Sequence, residues 1–349
     1  MFLFICVLAM WLMIFGVAFF YFGALKVELT AKLIYQFTLS ILLTTLIWLL
    51  GMYSLTFHGH FSFLFDSKES LSFMLDALFQ LCFCLYAVVM LIGAVIDRVT
   101  TKEILMIVAL WVIFVYCPLA YLIWNKSGLL SQLGVLDFSG GMVVHLSAGL
   151  STYVLAFLRG KTHHVHNKIR YEWLFLGMIL VTFGWFGFNA GPVGQLNQKA
   201  SQVLINTLIA ILSGGFSWGI LSYQKYQKED CTALLNGMVV GLVTSTAGVG
   251  FANGFQMLII TSVSSSLTYL LTIKLNQLAH IDDVVDSFSM NGLGGLFGSI
   301  GICLFYPKAF GVQLLAILLT ICLSFIVTFM IGKVFFRKYK EKSDRLIAS

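Results

Sequence analysis

The chain has 349 residues, 59% of them apolar and only 10% charged, with a net charge of +6. Soluble proteins carry about 25% charged residues, and this little polar material cannot cover a water-soluble body of such length. A cytosolic enzyme, a secreted disulfide-bonded domain and a disordered regulator are thereby excluded. A polytopic membrane protein remains, and without strands of alternating polarity it is helical.

Eleven apolar segments follow one another, at 2–25, 33–57, 71–96, 104–124, 139–158, 173–191, 202–223, 232–250, 254–273, 284–304 and 311–336. Most reach the ~20 residues that a helix needs to cross about 30 Å of hydrocarbon. The first has no charged leader and is too long and uniformly apolar for a signal peptide, so it reads as a mature helix. The connections are short, the longest being 58–70, 125–138 and 159–172, and no nucleotide-binding domain fits. Gly248-x-Gly250-x-x-x-Gly254 follows no strand and is not a phosphate loop. The expectation is one membrane domain over 1–336, followed by a short basic cytoplasmic tail, 337–349.

Alternate connections divide the basic residues 17 to 4, the smaller set being Lys68, Lys126, Lys199 and Lys308. The positive-inside bias places the N-terminus outside and the C-terminus in the cytoplasm, as an odd helix count requires. The net positive charge is membrane-surface anchoring, and no basic stripe interleaved with exposed aromatics points to nucleic acid. Cys6, Cys82, Cys84, Cys117, Cys303 and Cys322 fall in apolar segments and Cys231 at a helix entrance. Without a CxxC pair they indicate neither a disulfide framework nor a metal site. Glycine runs such as Gly237-x-x-x-Gly241 and Gly292-x-Gly294-Gly295 let helices approach closely in lipid.

Ionisable groups inside membrane helices are functional candidates by default. Asp137 opens the fifth segment and His145 follows eight residues later, about 12 Å along a helix and so near mid-membrane. The tenth segment repeats the spacing, with Asp283, Asp286 and then Asn291. Two such segments of opposite direction, five helices apart, predict an inverted repeat of helices 1–5 and 6–10 plus a last, eleventh helix. Its axis would bring His145 and Asn291 together. The three carboxylates read as structural and orienting groups that satisfy free N–H groups at helix starts. Phe79 and Phe83 share one helix face beside Trp124, whose ring face can attract a desolvated ammonium-type cation. Trp111 and Trp173 read as interfacial belt residues.

On these residues the chain resembles the ammonium transporter family (the Amt/Mep/Rh group). The resemblance spans nearly the whole length. It is most specific at Asp137-Phe138-x-Gly140-Gly141-x-Val143-Val144-His145 and at Gly184-Trp185-Phe186-Gly187-Phe188-Asn189-Ala190-Gly191. It implies an external recruitment cup of Phe79, Phe83 and Trp124, a pore entrance closed by stacked Phe83 and Phe188, and a central pore with His145 and Thr246. It also implies a homotrimer with one pore per subunit in a cell membrane, conducting ammonium or ammonia without a cofactor.

Two positions depart from the family pattern. Asn291 stands where a second pore histidine is expected, and an amide hydrogen-bonds but does not titrate. Pro192 stands in the cup where a serine is expected, and offers neither hydroxyl nor N–H. The short tail argues against regulation by a PII signalling protein. Two functions follow: an ammonium/ammonia transporter or channel, slow or electroneutral, or an ammonium-binding sensor that conducts little. Nothing supports an enzyme: no paired carboxylates or nucleophile–base pair emerges. His163-His164-x-His166 reads as part of a solvated basic loop. Asn125-Lys126-Ser127 is a chance glycosylation match, and Asp76 is left without a role.

Overall fold

A computed structural model describes residues 1–64, 69–160, 169–277, 283 and 286–347; the side chains of 276, 277 and 337–347 are not described. His163, His164, His166, Lys68, Lys161 and Lys168 lie outside the described residues. The helices are α1 (Phe2–Ala24), α2 (Val27–His58), α3 (Leu71–Gly93), α4 (101–124), α5 (Gly141–Arg159), α6 (Tyr171–Val193), α7 (Gln198–Tyr226), α8 (Cys231–Ser245), α9 (Gly254–Gln277), α10 (Phe288–Leu304) and α11 (Phe310–Ile347). No strand occurs among the described residues.

Nine helices among the described residues are long and apolar enough to cross a bilayer, while α8 and α10 are shorter apolar helices. The expected count of eleven spans thus stands at nine plus these two. At 15 residues, α8 rises only about 22 Å. It stops because the chain after Ser245 turns inward, where Asn206 donates to the carbonyls of Val249 and Ala252 at 2.9 and 2.8 Å. Irregular backbone at such depth requires protein partners of this kind.

Side-chain caps begin several helices. Thr100 and Glu103 form a reciprocal capping box at α4. Asn197 accepts from the Ala200 N–H at 3.0 Å, and Asp230 from the Ala233 N–H at 3.1 Å. On α1 one face buries Met10, Met13 and Ile14 while Phe4, Leu8, Leu12 and Phe15 are exposed. An apolar exposed face suits lipid. By contrast α3 is buried on every side from Leu81 to Gly93, so it occupies the middle of the bundle.

The starts of α5 and α10 are wide π-helical turns, Gly141–Leu146 and Phe288–Leu293. These helices pack antiparallel: Gly141 lies against Gly295 and Ser299, Gly149 against Gly292, and the Tyr153 ring 4.2 Å from that of Phe288. A Cβ on Gly149 would stand 2.2 Å from the Gly292 backbone nitrogen, so only glycine admits this approach.

One sequence expectation fails here. Trp111 is fully buried rather than interfacial, and its indole N–H donates to Ser151 at 2.8 Å. Ser151 also accepts from Thr328 at 2.9 Å, so the indole's polar edge is satisfied inside the bundle and ties α4, α5 and α11 together. Trp173 is partly exposed and stacks on Phe19 at 5.5 Å.

Candidate functional site

Phe79 and Phe83 are one turn apart on α3, with ring centroids 4.9 Å apart. The Phe83 ring lies 5.2 Å from Trp124 at the end of α4 and 4.4 Å from Phe188 near the end of α6. Phe79, Phe83 and Phe188 are buried and Trp124 is partly exposed, so the indole is the group of this cluster that faces outward. The Phe83–Phe188 contact is tilted by 63°, not face to face as the resemblance implied. Ring quadrupoles favour such an edge arrangement over a sandwich. Pro192 is exposed beside Gly191, whose backbone abuts the Phe79 ring so closely that a Cβ there would overlap it.

Asp137 precedes the α5 turn rather than opening the helix. Gly140, at φ +101°, bends the chain between them in a conformation that favours glycine. The buried Asp137 carboxylate accepts from the N–H groups of Met142 at 3.2 Å and Val143 at 3.1 Å. Its carbonyl accepts from the Trp124 indole N–H at 2.8 Å, so one residue holds both the helix start and the indole. Asp283 does the matching work on α10, accepting from the Phe288 N–H at 2.7 Å. Asp286 adopts a left-handed φ of +50° and its carbonyl accepts from the Met290 N–H at 2.9 Å.

His145 and Asn291 meet: Nδ1 and Oδ1 are 2.9 Å apart, both buried. The Asn291 amide N–H donates to the Ser287 carbonyl at 3.2 Å, which sets the amide's orientation and turns Oδ1 toward the imidazole. An oxygen there requires Nδ1 to be the protonated nitrogen. Nε2 is therefore an acceptor, and it has no hydrogen-bond partner. Around it stand Trp185, stacked on the imidazole at 5.3 Å and 8°, Phe188 at 5.8 Å and Tyr86 at 6.0 Å. A buried lone pair walled by rings suits a small hydrogen-bond donor.

Thr246 belongs to a different polar cluster. Its hydroxyl donates to Val243 at 2.7 Å, and its carbonyl accepts from the Ser139 N–H at 2.9 Å. Ser139 donates to Asn189 Oδ1 at 2.7 Å, and Asn189 donates to Thr207 at 3.1 Å. This cluster braces the end of α6 next to Phe188. Asp76 accepts from the Tyr53 hydroxyl at 2.8 Å, a phenol also 3.3 Å from His58 Nε2.

Tyr86, Trp185 and Asn189 stand at the site without having been given a role there from the sequence, although the last two lie in the quoted 184–191 motif. The signal was present: Tyr86 lies three residues after Phe83 and Trp185 three before Phe188, which puts each on the same helix face as its partner.

Beyond the His145–Asn291 pair a cavity of about 210 Å³ opens, lined by Phe20, Tyr21, Tyr86, Asn236, Asp286 and Asn291 among others. It also touches Leu174 near the beginning of α6 and Ile169 just before that helix, whereas Phe188 is near its end. Cup, ring contact, imidazole–amide pair and cavity therefore succeed one another along the bundle.

Such a bundle, apolar outside and holding a narrow series of rings and buried polar atoms, defines a polytopic membrane protein. Residues 1–338 match the Ammonium Transporter Family. An ammonium transporter of Bacillus subtilis (strain 168) is 31% identical over 95% of this chain and 90% of that protein. A putative ammonium transporter of Methanothermobacter thermautotrophicus is 31% identical, covering 91% of this chain and 83% of that one. Of solved structures, the Mep2 mutant delta442 from Candida albicans superposes with a TM-score of 0.83 at 25% identity, covering 95% and 90% of the two chains. A sensor Amt protein superposes at 0.85 with 20% identity, covering 96% and 92%. The chain belongs to the ammonium transporter family.

Proposed function

We propose that this chain carries ammonium or ammonia across a cell membrane, with its N-terminus outside, its C-terminus cytoplasmic, and a homotrimeric assembly like that implied by the family resemblance. Ammonium is recruited at Phe79, Phe83 and Trp124, with Pro192 on the rim. The cation meets an aromatic face there, worth about 0.5–2 kcal/mol when desolvated. The proton stays with the outer water at the cup, and Phe83 and Phe188 part to admit neutral ammonia. His145 Nε2 then accepts a hydrogen bond from the cargo, while Asn291 holds the imidazole in the tautomer that leaves this lone pair free. Thr246 and the three helix-start aspartates Asp137, Asp283 and Asp286 hold the walls.

The observation that carries this reading is the 2.9 Å contact between His145 and Asn291. It supports a single titratable ring in the passage, with an amide in place of a second. An amide does not take up and pass on a proton, so the expected transport is slow or electroneutral. Purified protein in liposomes should take up ammonium without net current, and His145→Ala should lower uptake by up to about tenfold, the scale of one lost hydrogen bond. Large ammonium-evoked currents abolished by His145→Ala would contradict electroneutrality. Ammonium binding with no uptake would instead favour the sensor reading, toward which Pro192 and Asn291 point because each removes a polar or titrating group.

A further inference from the structure

Two residues belong both to the ring cluster and to the cavity beyond it: Asn291 and Tyr86. The Tyr86 ring stands edge-on to His145 at 6.0 Å and to Trp185 at 5.5 Å, and lies 5.5 Å from Phe188. Its opposite side lines the cavity with Met90, Ser287, Met290 and Asn291. Tyr86 and Asn291 thus border both the His145 ring and the cavity. The amide is pinned by Ser287 and by the imidazole. Ring packing on three sides pins the phenol, which is 2% exposed. Both side chains are thus held in place by their contacts.

We propose that Tyr86 is a specificity-determining residue, its ring setting the size of amine that passes from the His145–Asn291 pair into the cavity. The proposal rests on the transport reading given above. Unsubstituted ammonia clears the ring, and an N-methyl group meets it. A methyl group in a tight apolar site decides roughly a factor of 10 or more.

The test compares ammonium and methylammonium uptake in liposomes holding full-length wild type, Tyr86→Val, Tyr86→Leu and Tyr86→Phe. Both aliphatic variants remove the ring and should raise the methylammonium-to-ammonium uptake ratio by about tenfold. Tyr86→Phe keeps the ring and should hold the wild-type ratio. Leucine serves as the second reading should valine leave the protein misfolded in detergent. Wild-type uptake with an unchanged ratio in the aliphatic variants overturns the role of Tyr86 and leaves the transport reading standing. A ratio that rises equally in Tyr86→Phe also overturns it, since the hydroxyl and not the ring would then discriminate. Absence of uptake in wild type and every variant ends both readings, whereas uptake that appears only once the ring is removed identifies Tyr86 as the obstruction.

Discussion

The starts of α5 and α10 are one design executed twice. Each has a carboxylate that accepts a backbone N–H five residues on, a wide turn, and a polar side chain eight residues on. They differ in what the polar side chain is and in how firmly the start is held. Asp137 is buried, accepts from two N–H groups, and has Trp124 on its carbonyl. Asp283 is only half-buried. The scaffold is thus indifferent to whether the delivered group is an imidazole or an amide, since backbone geometry does the delivering. In the transport proposed above, that one choice sets the chemistry of the passage.

The largest effect should come from pushing the two segments apart. Gly149→Ala places a methyl against Gly292 backbone that cannot move aside, at a cost of about 3 kcal/mol, the upper range for overpacking. Thermal unfolding in detergent measures it, and an unchanged midpoint would mean the approach is looser than described. Next, the two carboxylates should differ. Asp137→Ala strands two N–H groups at a buried site and should cost about 2 kcal/mol, against about 1 kcal/mol for Asp283→Ala at its more exposed site. Equal losses would erase the asymmetry drawn here. The smallest effect in free energy is functionally the sharpest: Asn291→His makes both halves titratable and should add an ammonium-evoked current to uptake that carries none in the wild type. Current that stays at the wild-type level would show that the amide is not the limiting group.

Much of this was legible in the sequence because membrane helices announce themselves by length and apolarity, and because spacing survives folding. The Asp137–His145 and Asp283–Asn291 intervals matched, and their side chains do meet. Tyr86 escaped notice, and Trp185 received no role beyond its motif, because an aromatic residue within an apolar run looks like core until a neighbouring helix is in place. Trp111 was misread for the opposite reason: its partner Ser151 is 40 positions away, and no local pattern shows that an indole N–H has been satisfied indoors. The shortness of α8 is equally non-local, since it depends on Asn206 receiving the chain that leaves it.

The wide turn beneath His145 has one further implication. The His145 amide reaches back five residues to the Gly140 carbonyl, where an ordinary α-helix reaches back four. Such a bulge is one surplus residue absorbed within a helix, and the stretches on either side keep their seats. Losing one residue there would let the backbone tighten into a regular spiral without disturbing its neighbours. What would vanish is the aim of the ring: a bundle still packed as before, with its imidazole turned away from Asn291.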